Sequence, residues 1–204
     1  AVTHPMKAFI LNEYGTDPVL TDVPEPHAGS GEVVIDVAAV SVNPVDALLA
    51  KGTVRLVVPL DLPTRLGFDA AGTVVEVGDG VTGLAVGDRV VTRADQAHMG
   101  TFAERVAVDA SVVAPAPSGT SLAEAASLPL AALTAWQALV DRGHLATGQK
   151  VLVHAGAGGV GSLAIQIAKH LGAEVATTVS PRNAELVRSL GADHVIDYHS
   201  QDFT

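Results

Sequence analysis

The chain has 204 residues, a formal net charge of −10 and no cysteine. The missing cysteines exclude disulfides, a cysteine nucleophile, thiolate zinc sites and iron–sulfur clusters, and the acidity argues against binding a phosphate backbone. Hydrophobic residues at 48% supply a packed core, while aromatics at 3% leave little for base stacking; no apolar run is long enough for a membrane span. No basic start leads into an apolar stretch near Ala1, so the expectation is a cytoplasmic protein with no nucleic-acid or membrane partner.

The first half reads as β. Short apolar runs rich in Val and Ile predict strands over 6–11, 19–23, 32–40, 70–77, 89–92 and 101–108, separated by glycine turns. Many short strands with such turns suggest a barrel or sandwich. Residues 1–119 hold fifteen acidic and seven basic side chains, and nine of the eleven prolines precede residue 120. The composition therefore places a boundary near 115–122, giving domains over 1–121 and 122–204. Ser121 and Glu124 have the spacing of a capping box that opens a helix reaching about residue 140, interrupted by Pro129.

The pattern then becomes βαβαβ. A strand over 151–155 leads to a helix over 159–171, with Val160, Leu163, Ala164, Ile167 and Leu171 at helical spacing and Gly172 as its stop. A strand over 174–179 follows. Ser180 and Pro181 suit the N-cap and first position of a helix ending near Leu190, and 194–198 is a third strand. Alternating strands and helices imply a parallel sheet with right-handed crossovers.

Between the first of these strands and its helix lies Gly156-Ala157-Gly158-Gly159-Val160-Gly161, a G-x-G-x-x-G pattern. Its glycines serve a tight turn, close approach of a pyrophosphate to the backbone, and close helix–strand packing. The helix N-terminus adds free amides and partial positive charge. The six residues alone are weak evidence; between a strand and an amphipathic helix they point to a dinucleotide. An NAD site expects a carboxylate about 20 residues further on for the ribose hydroxyls. Here the second strand ends in Ser180-Pro181-Arg182. A guanidinium suits a 2′-phosphate, so the reading favours NADPH over NADH. Ser180 as a plain cap and Arg182 as a solvated helix residue remain open.

The stretches "MKAFILNEYGTDPVL", "PEPHAGSGEVVIDVAAVSVNPVD", "LGFDAAGTVVEVG", "GLAVGDRV", "SLPLAALTAWQAL", "VLVHAGAGGVGSLAIQIAKHLGA" and "LGADHVIDY", in order and spacing, resemble the zinc-independent quinone oxidoreductases (zeta-crystallin-like) of the medium-chain dehydrogenase/reductase superfamily. The resemblance covers the chain from Met6 to Phe203. It implies an α/β two-domain fold: a GroES-like β-barrel catalytic domain, then a Rossmann domain, with the active site in the cleft between them. It also implies NADPH-dependent hydride transfer to a quinone or an activated, conjugated carbonyl. Family members are commonly homodimers.

The zinc branch of that superfamily carries a catalytic Cys at about Asn43 and a catalytic His at about Phe68, so no metal site is expected. Asn43 precedes Pro44, and Asp46 stands three residues on, which is a complete helix-capping pattern. The resemblance adds a second role, with the Asn43 amide and Asp46 facing nicotinamide or substrate. It likewise implies a Thr134 hydroxyl near the nicotinamide and Tyr198 at the adenosine 2′-phosphate end. The bland alternatives are a helix threonine bonded to its own backbone and a strand-end aromatic. In some quinone reductases a tyrosine follows the aspartate by two positions; here Leu48 does.

Only three strands of the expected six-stranded dinucleotide-binding sheet are legible, so the chain is expected to be part of a longer protein. A non-catalytic NADPH-binding homologue is the alternative to an enzyme.

Overall fold

A computed structural model describes residues 5–201. The chain divides into two compact units, the first ending at Leu130 and the second starting at Ala131.

In the first unit β1 (Pro5–Leu11) pairs antiparallel with β2 (Val19–Pro24) on one side and β4 (Thr64–Arg65) on the other. A second, antiparallel sheet has the order β7-β3-β5-β6-β8, from β3 (Glu32–Ser41), β5 (Asp69–Val77), β6 (Arg89–Arg93), β7 (Arg105–Asp109) and β8 (Val113–Pro115). Alternation along these strands turns Val33, Ile35, Val74, Val90, Val106 and Val108 into one core. The short helix α1 (Pro44–Ala50) places Leu49 in a second core with Leu11, Leu66, Phe68 and Met99.

Two expectations need correction. The sheets are open, not a closed barrel: β7 and β8 end the five-stranded sheet without pairing to each other. β8 has only three residues and ends on Pro115, which has no N–H to extend a ladder. The strand expected over 101–108 begins only at Arg105; Phe102 and Ala103 instead bond and bridge to Phe9 and Ala8 of β1. β4 and β8 were too short to give a periodic signal.

Helix α2 (Leu122–Ala126) opens on the expected capping box. The Glu124 N–H donates to Ser121 Oγ (3.2 Å) and the Ser121 N–H to Glu124 Oε2 (2.8 Å). Its Ala125 and Ala126 pack on Ala71 of β5, so this helix goes with the first unit. The division between the compact units falls one helix beyond the boundary at 121/122 that the composition suggests.

The second unit carries most of α3 (Pro129–Trp136), which widens into a π-turn over Gln137–Arg142. It continues with β9 (Lys150–Val153), α4 (Gly159–His170), β10 (Glu174–Val179), α5 (Ala184–Ser189) and β11 (His194–Asp197). The sheet is parallel, in the order β11-β10-β9, as the βαβαβ reading requires. Its core gathers Val153, Ala164, Ile165, Ala168, Val175, Val179 and Val187. Truncating the fully buried Ile165 to Ala is expected to cost about 2–5 kcal/mol.

The buried face of α4 is rotated from the expected one. Gly161, Ala164, Ile165 and Ala168 are buried, and Val160 is exposed. Small residues on that face let the helix lie close to the sheet. After Ser180 the chain makes a 3-10 turn over Pro181–Asn183 before α5, not one continuous helix.

Candidate active site and cofactor turn

In the first unit, three polar residues sit where apolar ones would be expected. Asn43, Asp46 and Asp69 are all buried, and Asp69 is wholly so. Asn43 is the residue before α1, and Pro44 pre-sets the first helical φ. The Asp46 carboxylate reaches back one turn, and its Oδ2 accepts from the Asn43 N–H (2.7 Å). Its other oxygen, Oδ1, is buried and has no partner among the described residues. Burial pushes the Asp46 carboxyl above the usual range, against the lowering pull of the Asn43 N–H.

The side chain of Asn43 completes the expected capping box by facing the Asp46 N–H, and its nitrogen end turns to a second carboxylate. Its Nδ2 donates to Asp69 Oδ2 (2.9 Å), with a longer approach to Ser41 O (3.5 Å). The second Asp69 oxygen, Oδ1, accepts from the Leu130 N–H (3.0 Å). Burial raises the Asp69 carboxyl to about 6 in spite of these two donors; the Asp46 charge adds to the rise and Arg93 opposes it. Arg93 pairs with Asp69 across the β5–β6 ladder, and its guanidinium lies 4.8 Å over the Phe68 ring.

The structure thus brings Asn43 and Asp46 together as expected and adds Asp69, which sequence reasoning missed. The signal was available: a lone carboxylate inside the apolar run Leu66-Gly67-Phe68-Asp69-Ala70-Ala71. Phe68, at the position of the zinc branch's histidine, offers no donor atom. Among the described residues no three His, Asp or Glu side chains cluster to hold a metal ion. Thr134 lies exposed on α3, within the second unit.

In the second unit the glycine turn is built from backbone. Ala155 takes the left-handed conformation (φ 53°) that was expected of a glycine. The first glycine serves close approach instead: a Cβ on Gly156 would stand 2.0 Å from Thr177 Oγ1. That hydroxyl is fixed by donating to Val153 O (2.7 Å). A Cβ on Gly161 would stand 2.3 Å from the Ala155 carbonyl oxygen. Both glycines are therefore required by the protein itself.

Gly158 differs. It is the N-cap of α4, with φ −80°, and a Cβ there would meet only the Ala155 oxygen at 3.3 Å. Gly159 has open space around it. Ala157 and Val160 complete the turn, Val160 exposed beside the helix N-terminus. At the end of β10, Ser180 Oγ and Tyr198 OH are hydrogen-bonded (2.8 Å), and Arg182 is exposed in the following 3-10 turn. Ser180, Arg182 and Tyr198 are thus all presented at that end of the sheet, and Ser180 makes no capping bond.

Residues 29–118 match the alcohol dehydrogenase GroES-like domain, and residues 159–204 match the zinc-binding dehydrogenase family. The NADPH-dependent alkenal/one oxidoreductase of Arabidopsis thaliana chloroplasts is 41% identical over 97% of this chain and 53% of its own length. The polyketide synthase GfsB of Streptomyces halstedii is 50% identical over 80% of this chain, which is 3% of that protein. The quinone oxidoreductase structure from Coxiella burnetii superposes with a TM-score of 0.89 at 39% identity, covering 98% of this chain and 64% of that one. The chain spans about half the length of the single-enzyme relatives it matches. With both halves matched in order, and with a superposition of that closeness over nearly every residue, the chain belongs to the quinone oxidoreductase-like members of the medium-chain dehydrogenase/reductase superfamily.

Proposed function

We propose that this chain serves an NADPH-dependent oxidoreductase that transfers a hydride to a quinone or a conjugated carbonyl, an enone or enoyl group, without zinc. The observation that carries the reading is the contrast among the motif glycines. Packing explains Gly156 and Gly161 but not Gly158, whose open position at a helix N-terminus suits a pyrophosphate against bare backbone.

Bound NADPH supplies the hydride. The backbone of Gly156, Ala157, Gly158, Gly159, Val160 and Gly161 holds the pyrophosphate, and Ser180, Arg182 and Tyr198 hold the 2′-phosphate. Asn43, Asp46 and Thr134 face the nicotinamide and the acceptor. A quinone or enone accepts hydride at an electron-poor carbon and needs only modest stabilisation of the developing oxyanion. This agrees with Asn43 and Phe68 standing where the zinc branch has metal ligands. The family resemblance supports a homodimer, the commonest oligomer.

The test is NADPH oxidation by the purified protein with 1,4-benzoquinone and with a simple enone. Turnover with either supports the reading. NADPH binding with no turnover on either would replace it with a non-catalytic, nucleotide-binding role.

A further inference from the structure

We infer that Asp69 is a positioning residue of this site: its carboxylate fixes which end of the Asn43 amide is held inside the protein, and it acts on the reaction only through Asn43. The inference rests on the proposed oxidoreductase reading for its kinetic consequence and on geometry alone for the rest.

An amide side chain has two ends of similar shape and opposite hydrogen-bonding sense. Something must choose between them. The backbone of Asn43 is fixed by Asp46, through the 2.7 Å bond from its N–H. That bond does not touch the side chain, whose other end faces the Asp46 N–H in the capping box. The nitrogen end is chosen by Asp69, whose Oδ2 stands 2.9 Å from Nδ2. A carboxylate only accepts, so turning the amide round would set oxygen against oxygen in a site with no water-exposed escape, since Asp69 has no accessible surface.

The residue type at 69 has its own reason. Asp69 receives two N–H donors, one on each oxygen, from Asn43 and from Leu130. Asparagine at 69 has one acceptor oxygen and would turn an NH2 group toward one of those donors. Serine or alanine would leave a buried donor unpaired. Only a carboxylate satisfies both, which accounts for a buried charge where an apolar strand residue would otherwise sit. Asp46 and Arg93 are the charged groups that act on it, with opposite signs.

Two measurements test the inference. The first is a double-mutant cycle on the turnover of NADPH with the better acceptor, using Asp69→Asn, Asn43→Ala and both together. Asp69→Asn is expected to lower kcat about 10- to 100-fold through a misplaced Asn43, with the KM for NADPH within about 2-fold. In the Asn43→Ala background the same change is expected to have an effect of less than about 2-fold. Equal fold losses in the two backgrounds overturn the inference while leaving the oxidoreductase reading intact.

The second measurement needs no folded Asp69 variant and no activity. The side-chain amide NMR signals of Asn43, assigned by their loss in Asn43→Ala, are followed in the wild-type protein across pH 5–8. A shift with a midpoint near 6 is expected, as protonated Asp69 gains a donor and releases its hold on Nδ2. Signals that do not move across that range overturn the inference. A protein inactive on both acceptors whose Asn43 signals do titrate overturns the oxidoreductase reading alone.

Discussion

The two units solve the problem of holding a polar group in opposite ways. The cofactor turn in the second unit uses almost no side chains. Its specificity is carried by where a Cβ cannot go, at Gly156 and Gly161, and by where one could go but none does, at Gly158. The Asn43 site in the first unit depends on side chains, with one buried carboxylate on the backbone N–H of Asn43 and another on its side-chain amide. The backbone site contains no charge that burial penalises. The side-chain site keeps two, and one of them has a carboxyl raised to about 6. A site of the first kind should be fragile to added atoms and indifferent to pH. A site of the second kind should tolerate small changes in volume and respond to pH.

The largest effect expected from this contrast is at the turn. Gly158→Asp places a carboxylate where the pyrophosphate would lie and should weaken NADPH binding by more than about 100-fold, like charges in a shared site costing several kcal/mol. Because Gly158 has ordinary φ and little around it, the variant should fold with a melting temperature close to that of the wild type. Gly161→Ala should behave the other way: a methyl 2.3 Å from the Ala155 oxygen forces the backbone to shift, at about 1–3 kcal/mol or more. Titration of NADPH fluorescence and thermal melts separate the two. Equal stability losses in both variants would break the distinction between packing glycines and the ligand glycine.

Next in size is the pH response of the carboxylate site. The Asp69 carboxyl is raised in the folded state, so the native protein binds this proton more tightly than the unfolded chain does. Its contribution to stability is therefore largest in acid, falls as pH rises from about 4 to about 6, and is constant above that. The full swing from the ordinary value of 3.8 to about 6 is on the order of 3 kcal/mol. The wild-type stability relative to Asp69→Asn should fall by up to that amount between pH 4 and pH 7 in urea melts. A difference independent of pH would contradict the assignment.

A smaller effect concerns the choice of cofactor. Arg182→Glu should raise the dissociation constant for NADPH at least about 10-fold more than that for NADH, since a charge-assisted contact to phosphate is typically worth about 1.5–3 kcal/mol. Equal changes for the two cofactors would remove Arg182 from the site.

The smallest concerns His98, which lies between Asp95 (2.8 Å) and Glu32 (3.1 Å). The hydrogen bond that its ring donates to the Asp95 carboxylate holds its imidazolium above the usual range. The stabilisation is thus fully present below about 6.5 and lost as pH rises through the higher folded value. His98→Gln should lower stability by a few tenths of a kcal/mol to about 1 kcal/mol at pH 6, and by less at pH 8.5, because the pair is partly solvated.

The same contrast explains what could be read from sequence. The βαβαβ order of the second unit was legible, because that alternation and the glycine motif are local patterns. What escaped there was finer: the left-handed residue is Ala155, and the buried face of α4 runs through Gly161, Ala164, Ile165 and Ala168. The motif fixes which residues are glycine but not which one makes the turn. In the first unit the longer strands were legible, while β4, β8 and the open sheet edges were not. Asp46 was legible because its bond to Asn43 is three residues long. Asp69 stood out as a lone carboxylate in an apolar run, but its role was not legible, because its partners lie 26 and 61 residues away. No spacing rule reaches across a sheet.

The most direct test of the central claim, hydride transfer from NADPH to an acceptor held by this protein without a metal ion, is the rate of NADPH oxidation by the better acceptor before and after exhaustive treatment with a zinc chelator. The expected result is an unchanged rate that added zinc does not increase. A rate lost to the chelator and restored by zinc would contradict it.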